Sequence, residues 1–249
     1  MYQFFIEDEN AAEDFVTIEG SDVNHIKNVL RMKPGEKIRV CTRNGQNYFC
    51  SISDVTESFV RADILEKEAE STELPCRIYL FQGLPKNDKM EWIIQKTVEL
   101  GVYEVIPVAM KNCVVKLDDK KAKSKVTRWQ AIAESAAKQS KRSLIPEVKM
   151  PMSYKEAVAY AKELDVKLVP YENEHGMAGT KAAMEQIKKG ESIAVFIGPE
   201  GGFAPEEIAL VQDEMQLISL GKRILRTETA GIAALAILGY QLESSDMIE

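Results

Sequence analysis

The chain has 249 residues, with 32 Lys and Arg against 39 Asp and Glu, giving a formal net charge of −7. Its hydrophobic fraction of 45% and charged fraction of 29% exclude a disordered, collagen-like or disulfide-dense chain, and the length suits one large folded domain or two smaller ones. Taken as a total, the acidic balance argues against a nucleic-acid partner, because phosphate binding needs Lys and Arg.

The first 70 residues read as mostly β. Short apolar runs at 2–6 and 15–18 predict strands, and Ser21-Asp22 can cap a short helix carrying Val23, Ile26, Val29 and Leu30 on one face. Alternating segments at 37–41 and 48–52 flank Asn44-Gly45, a strong hairpin signal, and a further strand is expected at 58–65. A small barrel of five or six strands fits, with the acidic stretch 66–73 as linker. From Leu74 on, strand and helix alternate. Strands are expected at 77–81, 103–108, 166–170, 193–197 and 216–220. Helices are expected at 90–100, 125–141, 154–164, 182–188, 206–214 and 229–242. Such alternation implies a parallel sheet covered by helices on both faces. The predicted division is therefore a β module at 1–72 and an α/β module at 73–249.

Charge is uneven along the chain. Residues 1–72 hold 8 basic and 14 acidic side chains, net −6, whereas 111–149 hold 11 basic and 4 acidic, net +7. That basic stretch reads either as a solvated lysine-rich helix or as a footprint for phosphates with Trp129 and Gln139 interleaved. The four cysteines (Cys41, Cys50, Cys76, Cys113) form no C-x-x-C pair, so reduced thiols and no metal site are expected. The most apolar run, 230–240, is about half the ~20 residues of a membrane span. The acidic N-terminus is unlike a secretory signal, and a cytoplasmic protein is expected.

Two segments fall beyond the carboxyl ends of strands, where open α/β sheets bind ligands. The first runs from Ile197 through Gly198-Pro199-Glu200-Gly201-Gly202-Phe203, with Pro205 opening the next helix. It lacks both a Walker loop and a G-x-G-x-x-G fingerprint, so nucleotide phosphate binding and nicotinamide chemistry are unsupported. A tight strand-to-helix turn would explain the glycines but not Glu200. The second segment, Leu220-Gly221-Lys222-Arg223-Ile224-Leu225-Arg226-Thr227-Glu228, leads into a helix of small residues. A buried helix capped by Thr227 or Thr229 would leave Arg223, Arg226 and Glu228 crowded at its mouth without a purpose. A helix N-terminus beside two arginines can hold an anion.

These residues carry a resemblance. Gly198-Pro199-Glu200-Gly201-Gly202-Phe203 and Leu220-Gly221-x-x-Ile224-Leu225-Arg226-x-Glu228-Thr229-Ala230 resemble the signature loops of the RsmE family, the ribosomal RNA small subunit methyltransferases E of the SPOUT superfamily. The likeness extends over nearly the whole chain. It includes His25-x-x-x-Val29-Leu30-Arg31 with Gly35, then 95–102 with Ile106-Pro107, then Arg128-Trp129 with Glu134-x-Ala136-x-x-Gln139-Ser140-x-Arg142 and Pro146. One departure is Thr97, where a small residue is expected.

The resemblance implies a PUA-like β-barrel followed by a parallel-sheet domain with a C-terminal trefoil knot, a homodimer, and S-adenosylmethionine-dependent methylation of N3 of a uridine in the decoding region of 16S rRNA. It assigns cofactor binding to Phe196, Ile197, Gly198, Pro199, Glu200, Gly201, Gly202, Leu220, Gly221, Ile224, Leu225 and Arg226. Uracil N3 must lose its proton before it attacks. Arg226 would stabilise the resulting anion, and Glu200 or Glu228 would act as base or orient Arg226. RNA contacts are expected from His25, Arg31, Arg43, Lys86, Lys121, Lys123, Lys125, Arg128, Lys138 and Arg142, although His25 reads equally as a structural residue. His175 reads as a solvated loop residue, and Trp92 and Trp129 as core. The partner would be 16S rRNA or the small ribosomal subunit. Ribose 2′-O-methylation and non-catalytic RNA binding are the competing functions.

Overall fold

The computed structural model describes residues 1–68 and 71–245, which divide into two compact units. The first comprises Met1–Glu73 together with Ala137–Ile145. The second comprises Leu74–Ala136 and the described residues from Pro146 on. The stretch 137–145 thus belongs with the first unit, although the sequence division at 72 places it in the second.

Five strands build the first unit: β1 (Tyr2–Ile6), β2 (Phe15–Glu19), β3 (Lys37–Thr42), β4 (Asn47–Val55) and β5 (Phe59–Glu68). Their order is β1-β3-β4-β5-β2, with β1 and β3 parallel and the other pairs antiparallel. The end strands β1 and β2 lie against each other, so the sheet closes on itself. Alternation supplies the core: Phe4, Ile6, Val16, Ile18, Ile38, Val40, Ile52 and Val60 all point inward. The hairpin expected at Asn44-Gly45 forms between β3 and β4, and Gly45 has φ +87°.

Between β2 and β3, the expected helix begins as α1 (Ser21–Asn24) but widens into a π-helical turn at His25–Val29, where Leu30 N–H donates to His25 O at 2.8 Å. The extra residue per turn rotates Val29 off the apolar face, and it is 63% exposed rather than buried. The acidic stretch read as a linker is largely structural. Glu66–Glu68 extend β5, Glu68 pairs with buried Arg39 at 2.6 Å, and Glu73 holds Arg142. Ala69 and Glu70 of that stretch lie outside the described residues, as do residues 246–249 at the C-terminal end.

The second unit contains β6 (Arg77–Gly83), α2 (Lys89–Glu99), β7 (Val102–Ala109), α3 (Asp119–Ser140), β8 (Glu147–Val148), β9 (Met152–Ser153), α4 (Tyr154–Ala161), β10 (Val166–Pro170), α5 (Ala178–Glu185), β11 (Ser192–Ile197), α6 (Pro205–Val211), β12 (Gln216–Ile218) and α7 (Thr227–Ser245). The last turn of α3 falls in the 137–145 stretch of the first unit. All seven strands are parallel, in the order β12-β10-β11-β6-β7-β8, with β9 also pairing β7. Central strands β6 and β11 are buried on both sides, so they read as continuous apolar runs. On one face Phe81 and Phe196, register partners, stack at 4.3 Å with rings 4° from parallel, beneath Tyr154, Ala157, Ile208 and Val211 from α4 and α6. On the other face α2 and α7 pack against each other and α7 lies on β6 and β11. The chain leaves edge strand β12 and returns to the middle of the sheet to do so.

Two helix starts differ by several residues from the sequence expectation. Helix α3 starts six residues early because Asp118 Oδ1 accepts Lys121 N–H at 2.8 Å, capping a first turn too polar to show periodicity. Helix α5 lies four residues earlier at its start, held by buried Thr180, whose hydroxyl donates to Ser219 O at 2.8 Å and accepts from Ser219 N–H at 3.0 Å. Thr97, the departure noted in α2, is fully buried and donates its hydroxyl to Ile93 O at 2.7 Å, so its extra polarity is satisfied within the helix.

Candidate active site

A cavity of about 610 Å³ opens at the carboxyl ends of β10, β11 and β12. Its wall is built from Pro170, Tyr171 and Glu172 after β10, the loop from Ile197 to Phe203 after β11, residues 219–227 after β12, and Lys89 and Ala230 from α2 and α7. Glu174 and His175 also border it.

The glycine-rich loop is held from several sides. A Cβ on Gly83, the last residue of β6, would lie 2.7 Å from Pro199 N, so only glycine lets the two segments touch. Asn112 Nδ2 donates to Gly201 O at 3.0 Å and to Gly202 O at 3.2 Å. Gly202, at φ +66°, turns the chain beside the Glu172 carboxylate, where a Cβ would be 3.3 Å from Oε1. Glu207 then starts α6 by accepting Ala204 N–H at 2.8 Å, and it also accepts Lys111 N–H at 2.8 Å. The second loop is pinned by Thr227: its hydroxyl donates to Gly198 O at 2.6 Å and accepts from fully buried Gln82 Nε2 at 2.9 Å. A single threonine thereby ties the start of α7 to the ends of both central strands.

Charge gathers at one side of this wall. Glu200 Oε1 accepts Lys86 N–H at 3.0 Å and lies 3.1 Å from Lys89 Nζ; Glu228 Oε2 lies 3.2 Å from the same ammonium. Burial opposes ionisation of Glu200, but the Lys86 amide, the backbone amide of Glu200 itself and the Lys89 ammonium together outweigh it and hold the carboxyl below its usual range. The Glu200 carboxylate in turn raises Lys89, against a smaller burial effect. Arg226 and Arg223 are exposed at the rim, with Arg226 facing the cavity along with Leu225 and Ile224.

The structure brings together Ile197, Gly198, Pro199, Glu200, Gly202, Leu220, Gly221, Ile224, Leu225, Arg226 and Glu228; all but Glu228 line the cavity, and Glu228 reaches it through Lys89. Two residues expected to contact the cofactor do not line the cavity. Phe196 has its ring in the core against Phe81, and Gly201 faces Asn112. His175, expected in solvent, is exposed but borders the cavity. Lys89, Glu172, Asn112 and Gly83 escaped sequence reasoning; the one local signal was a lysine at the first position of a helix, where a cation is out of place.

The expected RNA-contacting residues divide by what they already bind. His25, Arg31, Lys86, Lys121 and Lys123 are exposed, with His25 edge-on to Phe4 at 6.5 Å and Arg31 at φ 55°. Arg43 is exposed but paired with Glu7, Lys121 with Asp118, Lys125 with Asp88, and Arg128 with Glu91. Two are engaged within the fold itself, and Arg142 is buried there. Lys138 is chelated by both carboxylate oxygens of Asp22 at 3.0 Å, and Arg142 is 3% exposed and held by Glu73. These two cations fasten residues 137–145 into the first unit, where Asp22 and Glu73 take up their charge. Trp129 is core at 3% exposure, as expected, whereas Trp92 is 53% exposed with Lys96 Nζ over its ring.

Comparison with known proteins places this architecture. A family model described as an RNA methyltransferase domain matches residues 72–239, and one described as an RNA methyltransferase PUA domain matches residues 18–65. The ribosomal RNA small subunit methyltransferase E of Bacillus subtilis is 39% identical, over 98% of this chain and 98% of its own. The crystal structure of ribosomal RNA small subunit methyltransferase E from Neisseria gonorrhoeae bound to S-adenosyl methionine aligns with a TM-score of 0.83 at 32% identity, covering 96% of each chain. A putative methyltransferase from Legionella pneumophila, in complex with the bound cofactor SAM, aligns at 0.82 and 31%, covering 95% of this chain and 96% of its own.

Proposed function

The chain belongs to the ribosomal RNA small subunit methyltransferase E family, and on that premise we propose that it transfers a methyl group from S-adenosylmethionine to N3 of a uridine in the decoding region of 16S rRNA. The observation that carries this reading is the cavity at the carboxyl ends of β10, β11 and β12, walled by the two loops that bear the family signature.

The wall fits the cofactor. Gly202 and Gly221, with φ +66° and +109°, expose backbone polar groups without side chains in the way, and such groups suit an adenine edge. The carboxylates of Glu172 and Glu200 suit a sulfonium cation. Ile197, Gly198, Pro199, Glu200 and Gly202, with residues 220–226, would hold the cofactor, whose bound form supplies an already activated methyl group.

What remains for the protein is placement and proton management. Arg226, exposed at the cavity wall, is positioned to offset negative charge on a uracil oxygen once N3 is deprotonated. Glu200 and Glu228 share Lys89, and the low basicity that the Lys86 amide, its own amide and Lys89 give Glu200 favours an orienting and electrostatic role for it over proton abstraction. The return of the chain from edge strand β12 to α7 in mid-sheet supports the trefoil threading of the family. Exposed apolar groups on and before α7, Tyr240 at 76% and Ile224 at 86%, support a homodimer. Among the described residues no helix is long and apolar enough to cross a membrane, which accords with action in the cytoplasm on the small ribosomal subunit or its RNA.

Cofactor binding is tested by thermal unfolding. Because a ligand that binds only the native state stabilises it by mass action, saturating S-adenosylmethionine at about 100 times Kd should add about 2.7 kcal/mol and raise Tm. An unchanged Tm across millimolar cofactor would contradict the assignment.

A further inference from the structure

Lys89 occupies a position that local rules disfavour. It is the first residue of α2, where the aligned backbone dipoles repel a cation. Its ammonium is nevertheless held there, 3.1 Å from Glu200 Oε1 and 3.2 Å from Glu228 Oε2. Those carboxylates come from two different segments of the cavity wall, the glycine-rich loop after β11 and the first turn of α7. Without the lysine, two like charges would face each other in a partly desolvated place, with side chains 24% and 19% exposed. The neighbouring Lys86 N–H also donates to Glu200, so the start of α2 grips that carboxylate twice. Glu228 gains in addition from lying in the first turn of α7, where negative charge is favoured.

We infer that Lys89 is a positioning residue for methyl transfer: its ammonium joins α2, the glycine-rich loop and α7, and so fixes Glu200 and the mouth of α7 in the geometry that cofactor binding requires. The inference rests on the reading of this cavity as the S-adenosylmethionine site. Lys89 acts through Glu200 and Glu228. The cluster of one cation and two anions carries a net negative charge, which suits a sulfonium ligand and would be mis-set if the cation were lost.

The test uses the full-length protein with S-adenosylmethionine as probe, comparing K89M, K89Q and K89R by calorimetric Kd and by KM and kcat for methyl transfer. K89M and K89Q should raise Kd and KM for the cofactor about tenfold, the scale of one charge-assisted hydrogen bond, while changing kcat far less. K89R, which keeps a cation able to meet both carboxylates, should restore most of the affinity. In the E200Q background K89M should cost less than it does alone, because the two residues act through one contact. Unchanged affinity in K89M and K89Q, equal damage by K89R, or full additivity with E200Q would overturn the inference while leaving the cofactor site in place. Failure of the native protein to bind S-adenosylmethionine would overturn the site reading itself and this inference with it.

Discussion

Single residues decide whether the cavity exists. Gly83 ends β6 where any Cβ would meet backbone of the glycine-rich loop, at 2.7 Å from Pro199 N, and backbone cannot swing aside as a side chain can. Gly83→Ala should therefore displace the loop, weaken cofactor binding at least tenfold, and cost about 1–3 kcal/mol of stability by overpacking; calorimetry and denaturant unfolding measure the two effects. Glu200 gives a pH signature. Its folded-state carboxyl lies below the ordinary value of 4.5, because the amides of Lys86 and of Glu200 itself, with the Lys89 ammonium, outweigh burial. The benefit of its charge is thus fully present above that ordinary value and is lost as pH falls through the lowered one. Cofactor affinity should stay level from neutrality down to about pH 4.5 in the native protein. A decline beginning near pH 6 would assign the controlling group elsewhere.

Elements show how one helix can carry two unrelated duties. In the first half of α3, Lys120, Lys121 and Lys123 are exposed, while at and beyond its last turn Lys138 and Arg142 are locked to Asp22 and Glu73. Replacing Lys120, Lys121 and Lys123 by Gln should reduce the salt dependence of RNA affinity by about 2–3 in log–log slope and leave Tm nearly unchanged. Arg142→Gln should do the reverse, removing about 3–5 kcal/mol by leaving Glu73 without its buried partner. Binding titrations at several salt concentrations and thermal unfolding separate the outcomes. From charge counts alone the two groups were indistinguishable, since a lysine at 121 and an arginine at 142 contribute equally to the +7 stretch. Periodicity did reveal the five strands of the first sheet, five of the seven in the second and most helices, because burial leaves an imprint every second or every third and fourth residue. It missed the polar start of α3, whose signal is a cap rather than an apolar stripe, and the two-residue strands β8 and β9, which are too short to show alternation.

At the scale of the whole chain, strand order is what assembles the site. Adjacent strands β6 and β11 are separated in sequence by four other strands, and β12 at the edge is followed by a helix in the middle. Neither fact leaves a trace in hydropathy, since parallel central strands look alike wherever they are placed. The signature loops were nevertheless legible as unusual: glycines with an unexplained carboxylate, and arginines beside a glutamate at a helix mouth. What stayed hidden was Lys89, which joins them from a third segment more than 100 residues away in the chain. The total charge of −7 likewise conceals more than it shows, because the basic excess of 111–149 is in part neutralised by ion pairs with acidic residues outside that stretch.

Methyl transfer to uridine N3 is tested most directly by its product. Small ribosomal subunits purified from cells lacking this protein should be incubated with the protein and S-adenosylmethionine, and the 16S rRNA nucleosides then analysed by mass spectrometry. One new base-methylated uridine, 3-methyluridine, is expected in the decoding region, absent without the protein. A ribose 2′-O-methylated nucleoside, or no new methylation at all, would contradict transfer to N3.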